Sequence, residues 1–367
     1  LLLARLGWTF WRAGPVEEAK PILERAIAEA RVCGAEEAEA WALHDLGVTL
    51  WATNQVVEGV ELIKQSMTLA RQLGDQPLLM RCYVNLPGLM EAAGGDWRES
   101  VRLCQEGLEI ARRGMDRGSA SWLAGNLAEL YEYLGRMRDG LAAAEEALDW
   151  ARSIGNEQDT AGPVHRVASF HQLMGDADRA GQLHAEAQAL ERIAEVQAQA
   201  FHPVQAAWER WHSDPLGATR ALDDGVPDAG PNADAGAYWL ARMALRVSDR
   251  TALQHAISIA ERSWKGIDAG RPALEREWLR ALGDPDGGDK CVLRVAQELE
   301  ALGYLYPAAD AAADAALLAA RGGRDPAEAL ALADRLYAEC EIVPPLGPLP
   351  EFSFLAPMHT EAGVQPA

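Results

Sequence analysis

Hydrophobic and small residues recur with a fixed spacing five times in the first 192 residues. In each copy a small residue is followed, at offsets of 12, 7 and 5, by two small residues and an arginine, and copies start 40 or 41 residues apart. Small side chains are needed where helices cross closely, so the pattern predicts an array of helix-turn-helix repeats, an all-α solenoid. The copies are Gly7, Ala19, Ala26, Arg31; Gly47, Gly59, Ser66, Arg71; Pro87, Ser100, Gly107, Arg112, with one extra residue in its first gap; Ala128, Gly140, Ala147, Arg152; and Ala168, Ala180, Ala187, Arg192.

Each copy divides into two predicted helices. In the first helix an aliphatic residue precedes the small residue and a large residue follows one turn later, as at Leu46 and Leu50, so both share one face. Residues that tolerate a left-handed backbone then mark a turn, and glycines end the second helix. The turns are expected at Gly14, Asn54, Gly94, Gly135 and Gly175, and the helix ends near Gly34, Gly74, Gly114 and Gly155.

The pattern divides the chain into four parts. Residues 1–192 hold the five repeats, and residues 193–289 hold degenerate helical pairs expected to continue the solenoid, broken by loops at Asp223–Gly236 and Gly283–Asp289. Residues 290–341 form a sixth repeat and a capping helix, roughly Pro326–Cys340. Residues 342–367 are rich in proline, and we expect this tail to be extended or disordered.

Composition limits the location and the partners. The net charge of −21 disfavours direct binding of nucleic acid or an anionic membrane by this segment. The five cysteines are odd in number and widely spaced, which favours free thiols in a reducing, cytoplasmic compartment. No signal peptide and no apolar run of membrane-spanning length is present, so we expect no membrane partner.

No motif for catalysis or for a cofactor occurs in the sequence. The phosphate-binding loop, the nucleophile elbow and the zinc-protease helix motif are all missing. The acidic stretch Asp284–Asp289 is out of frame for a calcium loop, because Val295 stands where a bidentate glutamate is needed. We therefore expect no enzyme activity, no cofactor and no metal site.

Aromatic and polar residues of the first helices point to a binding surface. When the repeats are aligned, several of them fall on the side that would line a concave groove, and tryptophan with arginine dominates binding hot spots. The predicted groove residues are Trp8, Trp11, Trp41, His44, Trp51, Arg81, Asn85, Trp122, Asn126, Tyr133 and Arg166. The expected partner is a protein, a peptide or a small-molecule inducer. Alternatively, these tryptophans only pack between neighbouring helices or against a missing upstream domain.

The small-residue spacing resembles that of the tetratricopeptide repeat family, although the usual repeat is shorter, about 34 residues, and closes with proline rather than arginine. The long second helices ending in Ala70-Arg-Gln-Leu-Gly74 and Ala151-Arg-Ser-Ile-Gly155 are similar to the helical region of large bacterial LuxR-type regulators. In those regulators an ATPase domain precedes the helices and a helix-turn-helix DNA-binding domain follows them.

This resemblance implies a ligand- or protein-binding sensor region of a bacterial transcription regulator. The chain contains neither the ATPase nor the DNA-binding domain, and Leu1 falls inside a predicted helix, so we expect a fragment whose upstream ATPase domain would be a partner. Two alternatives remain open: a stand-alone scaffold for protein–protein interaction, and the helical module of a signalling ATPase that carries a nucleotide cyclase domain.

Overall fold

The computed structural model describes residues 16–155, 160–191, 202–227, 233–284 and 286–347. Over these residues the chain forms seventeen α-helices and no strand, and consecutive helices pack against each other on either side of the gap between α9 and α10, which confirms the predicted all-α solenoid. The helices are α1 (Val16–Cys33), α2 (Glu36–Ala52), α3 (Val56–Leu73), α4 (Gln76–Ala92), α5 (Trp97–Gly114), α6 (Arg117–Tyr133), α7 (Met137–Ile154), α8 (Ala161–Leu173), α9 (Ala177–Glu191), α10 (His202–Trp211), α11 (Pro215–Gly225), α12 (Ala233–Val247), α13 (Arg250–Ser263), α14 (Gly270–Leu282), α15 (Gly288–Leu302), α16 (Leu305–Arg321) and α17 (Ala327–Cys340).

The repeated small residues lie where the two helices of a repeat cross. A Cβ atom added to Gly47 of α2 would stand 2.8 Å from the carbonyl oxygen of Gly59 in α3, and the converse distance is 2.6 Å. In the fourth repeat a Cβ atom on Gly140 would stand 3.4 Å from the carbonyl oxygen of Ala128 in the same repeat, and 2.4 Å from the ring of Phe170 in the next repeat. These contacts are shorter than a side chain allows, so glycine sets the close approach of the helices.

Local signals begin and end the helices. Aspartates accept backbone N–H groups at the starts of α4, α5 and α6, for example Leu78 N–H to Asp75 Oδ1 at 3.0 Å. Left-handed residues end the second helices, including Gly74 and Gly155, and Met115 takes the same conformation after α5.

The arginines that close the repeats join each repeat to the next. Arg112 pairs with Glu146 at 2.5 Å and Arg152 pairs with Glu186 at 2.7 Å, each pair spanning 34 residues. Both pairs are exposed, so each contributes about 0–1 kcal/mol. Arg192, in the fifth copy, lies outside the described residues.

The region 193–289 contains more helix than the sequence predicts. Helix α11 continues through Gly225 and α12 begins at Ala233, so both ends of the predicted loop Asp223–Gly236 are helical. Helix α15 likewise begins inside the predicted loop Gly283–Asp289. The expected boundary at residue 192 lies in the segment 192–201, which is outside the described residues.

The C-terminal helices do not simply continue the solenoid, because they fold back onto the edge of the third to fifth repeats. We call α14–α17, together with the N-cap residue Ala269 and residues 341–347, the C-terminal arm. The Trp97 indole N–H donates to the carbonyl oxygen of Leu302 at 2.8 Å, across 205 residues of sequence, and helix α16 contacts α6. The start of the tail belongs to this arm: Val343 N–H donates to Leu173 O at 2.8 Å, and Leu346 is buried. Residues 342–347 thus form no helix but pack against the rest of the fold, while residues 348–367 lie outside the described residues.

Turn glycines make this contact possible. Gly94, Gly135 and Gly175 each have a positive φ and sit between the two helices of their repeat. A Cβ atom on Gly94 would stand 2.1 Å from the Ala269 carbonyl oxygen, and one on Gly135 would stand 2.2 Å from Cys340 Sγ. These glycines are thus needed for the docking of the arm as well as for the turn.

Across the described ranges, no helix is both long enough and apolar enough to cross a membrane.

Candidate functional site: the concave face of the repeats

The first helices of the repeats, α2, α4, α6 and α8, place side chains from equivalent positions next to one another. We call the shared side of these helices the concave face. Two residues before the small residue of each first helix stands a polar residue, in the order Asp45, Asn85, Asn126 and Arg166. Each of these contacts the neighbouring first helix, so the predicted alignment of the repeats is reproduced in space.

A hydrogen-bonded network joins α2 to α4. The Asp45 carboxylate accepts from His44 Nδ1 at 2.9 Å and lies 3.3 Å from Arg81 Nη2. Since Nδ1 must carry the proton for this bond, the other ring nitrogen accepts from Asn85 Nδ2 at 3.0 Å. Burial lowers the pKa of His44 below its usual value, which keeps the ring neutral as this arrangement requires.

His44 is fully buried, so it supports the concave face and does not line it as the sequence predicted. Trp41 is also held in place, since its indole N–H donates to Asp75 at 2.8 Å and the Arg81 guanidinium lies 5.3 Å from its ring centre. Trp51 is half-buried and packs against the core.

Trp122 of α6 differs sharply from Trp41, although both occupy the same register position. Trp122 is 65% exposed. The equivalent position on the next first helix is Gly162, which offers no side chain to stack on, whereas Trp41 faces Arg81. Trp122 is therefore a large apolar side chain that this face presents to solvent.

Glycines keep the surface around Trp122 open. A Cβ atom on Gly88, Gly125 or Gly162 would meet no atom within 4 Å. Together with the side chains between them they form a strip along α4, α6 and the start of α8. We call it the open strip, and it consists of Arg81, Asn85, Gly88, Trp122, Gly125, Asn126 and Gly162.

The two asparagines of the open strip are oriented by their own amide donors. Asn126 Nδ2 donates to the Val84 carbonyl oxygen at 2.7 Å, and Asn85 Nδ2 is paired with His44. Within the described ranges, no donor bonds to the side-chain oxygen of either asparagine. Each therefore presents a fixed hydrogen-bond acceptor.

The other end of the concave face is covered. Arg166 pairs with Glu129 and Glu132 of α6 at 3.1 and 3.2 Å, which occupies its guanidinium within the face. Tyr133 donates to Glu129, and its ring lies 4.1 Å from the guanidinium of Arg271 in the C-terminal arm. Tyr133 is thus an arm contact rather than the free groove residue that the sequence predicted. Trp8 and Trp11 lie outside the described residues.

A second polar cluster, which sequence reasoning missed, lies inside the C-terminal helices. Arg242 is fully buried and is paired with Asp310 and Asp314, which are also fully buried. The rings of Tyr238 and Trp278 lie 5.4 and 5.8 Å from its guanidinium. This cluster of buried ion pairs and rings holds α12, α14 and α16 together. No group of metal-ligating side chains is found in the part of the chain that the structure describes.

Comparisons with known proteins add little to this description. No protein-family model matches the chain, and no curated protein does. Among solved structures it is similar to a Rap protein complexed with competence and sporulation factor, at 10% identity over 92% of this chain and 95% of that chain, with a TM-score of 0.44. It is also similar to a circular tandem repeat protein with novel repeat topology, at 15% identity over 88% of each chain, with a TM-score of 0.23.

Both likenesses are distant, so the class of the protein rests on its own helices. The consecutive helix pairs, and the glycine crossings within them, define a helical-repeat protein of the α-solenoid class.

Proposed function

We propose that the open strip binds an extended segment of a partner protein and that the chain is a non-catalytic binding module. The observation that carries this proposal is Trp122, a tryptophan that is 65% exposed on a face where the neighbouring positions are glycines without side chains. Tryptophan is enriched in binding hot spots, and a large exposed apolar side chain rimmed by polar groups is typical of an interaction site.

The asparagines supply the second part of the recognition. Side-chain amide oxygens accept hydrogen bonds from peptide N–H groups, and those of Asn85 and Asn126 are held in place on neighbouring first helices. Packed helices lie about 8–10 Å apart, and about three residues of extended chain cover that length. One extended segment can therefore bond to both amides while an apolar side chain packs against Trp122.

The charge of the strip also bears on the partner. Arg81 is compensated by Asp45, and Arg166 by Glu129 and Glu132, so the face does not share the strong acidity of the whole chain. A partner segment need not be basic to bind here, and its affinity should depend weakly on salt.

The test is selection from a phage-displayed random-peptide library against the full chain, followed by titration of the enriched peptides. We compare wild type with Trp122→Ala and with the double variant Asn85→Ala/Asn126→Ala. The control is Val57→Ala, which removes an exposed apolar side chain from the second helix of another repeat. The enriched peptides should bind wild type and the control alike and lose about tenfold or more in affinity for the other two. No enrichment, or equal binding by all four proteins, would refute the proposal.

We further propose that this module is the sensor region of a LuxR-type transcription regulator in the bacterial cytoplasm. The support is the style of the repeats, with the sequences Ala70–Gly74 and Ala151–Gly155 closing long second helices. Sequencing the DNA on both sides of the coding stretch tests it. An ATPase phosphate-binding loop upstream and a helix-turn-helix domain downstream are expected, and a complete gene encoding the repeats alone would contradict it.

A further inference from the structure

A single arginine of the C-terminal arm joins two neighbouring repeats. Arg271, near the start of α14, donates from Nε and Nη2 to the two carboxylate oxygens of Glu91 at 2.5 and 2.7 Å. Its Nη1 donates to Glu275 at 2.5 Å, one turn later on its own helix. Its guanidinium also lies over the ring of Tyr133. Glu91 is at the end of α4 and Tyr133 is at the end of α6, so one side chain contacts both first helices.

This contact is buried and specific in its geometry. The side chains of Arg271, Glu91 and Glu275 are only 7%, 8% and 2% exposed. A planar guanidinium that bonds to a carboxylate through two nitrogens accepts one relative orientation, and stacking on a ring restricts it further. Arg271 therefore fixes where the ends of α4 and α6 lie relative to α14.

The same two helices carry the open strip. Asn85 lies on α4, while Trp122 and Asn126 lie on α6, and Asn126 bonds to the backbone of α4 at Val84. No proline interrupts α6 between Asn126 and Tyr133, so a change in the position of its end relative to α4 also moves Asn126. Helix α4 differs, because Pro87 stands between Asn85 and Glu91 and allows a bend there. The arm is docked in the conformation in which both amide oxygens are presented.

We infer that the C-terminal arm is an internal brace, in which Arg271 is a positioning residue that holds the open strip in its binding-competent form. This inference rests on the proposed function. Releasing the brace weakens partner binding, because the partner must then order the strip itself. By reciprocity, a bound partner makes the brace harder to release, by the same factor.

The test compares Arg271→Gln with Arg280→Gln in the full chain. Arg280 is on the same helix, but its pair with Glu261 is exposed, so the control removes a surface charge without touching the repeats. Docking of the arm is measured without any ligand, from hydrogen exchange of the Trp97 indole N–H and the Val343 amide. Both groups form hydrogen bonds between the arm and the repeats. Affinity is then measured with the library-selected peptides.

Arg271→Gln should speed exchange at both reporters about tenfold or more and weaken peptide binding by about tenfold, while Arg280→Gln changes neither. A selected peptide should slow exchange at both reporters in wild type. If Arg271→Gln does not fold, Arg271→Lys keeps the charge but loses the two-nitrogen bond and should give a smaller effect in the same direction.

Unchanged exchange in the arginine variants would overturn the inference, and so would faster exchange with unchanged peptide affinity. If no peptide binds wild type, the proposed function fails, and the exchange measurements alone then show whether Arg271 holds the arm.

Discussion

Adding one methyl group at Gly94 should separate the C-terminal arm from the repeats, and Gly74 provides a matched control. Both glycines have a left-handed backbone, with φ of +76° and +68°. A Cβ atom on Gly74 would meet nothing within 4 Å, whereas one on Gly94 would stand 2.1 Å from the Ala269 carbonyl oxygen. The two substitutions therefore share the cost of the backbone conformation and differ in the contact with the arm.

The magnitude follows from these two contributions. An alanine in the left-handed region costs about 1–2 kcal/mol at either position. At Gly94 the added atom would lie roughly 1 Å closer to the Ala269 carbonyl oxygen than an ordinary contact allows, and this backbone atom cannot rotate away. Such overpacking costs about 1–3 kcal/mol more. With a urea slope near 3 kcal/mol/M, the midpoint of Gly94→Ala should lie about 0.3–1 M below that of Gly74→Ala.

The assay is urea unfolding of wild type and both variants, followed by circular dichroism, with hydrogen exchange of the arm as a second observable. Repeat proteins need not unfold in a single step, so the comparison is between the two variants under one condition. Equal midpoints, with equal exchange in α14, would show that the arm does not dock against Gly94.

Three further predictions concern the core and the titratable groups. Arg242→Met should destabilise the fold by about 3–5 kcal/mol in urea unfolding, because it leaves the Asp310 carboxylate buried without its cation and leaves Asp314 with Arg246 alone; a loss below about 1 kcal/mol would contradict this. Burial, and then the neighbouring His165, lowers the pKa of His184 from 6.5 to about 4. Because the unfolded chain then binds the proton more readily, the free energy of unfolding falls as the pH drops from 6.5 through 4. His184→Gln should flatten the urea midpoint over that pH range, and an unchanged slope would count against the assignment. Ellman's reagent should react rapidly with the exposed thiol of Cys33, and Cys33→Ser should remove this fast phase; a fast phase that survives the substitution would contradict it.

The repeats themselves were predictable because their signals are local. The crossing of Gly47 and Gly59 follows from a spacing of 12 residues, and the repeated offsets place Asn85 and Asn126 in the same register. A helix period and a turn residue act within one repeat, so periodicity is enough to find them.

The covering of the concave face was not predictable in this way. Glu91 and Arg271 are 180 residues apart, and neither belongs to a repeated motif. Gly94 and Gly135 look like ordinary turn glycines in the sequence, and only the fold shows that they also make room for the arm. Non-local contacts of this kind leave no periodic trace.

The exposure of Trp122 could have been anticipated in part. Aligning the repeats places Trp41, Arg81, Trp122 and Gly162 at one position, which pairs the first tryptophan with an arginine and leaves the second beside a glycine. The burial of His44 could not be read in the same way, because it depends on the packing around α2.

Hydrogen exchange of the full chain, measured with and without a library-selected peptide, shows where the peptide binds. Binding at the open strip predicts slower exchange in α4, in α6 and at the start of α8, with no change in the second helices α3, α5 and α7. Protection confined to the second helices, or no protection at a saturating peptide concentration, would contradict the claim that this face is the binding surface.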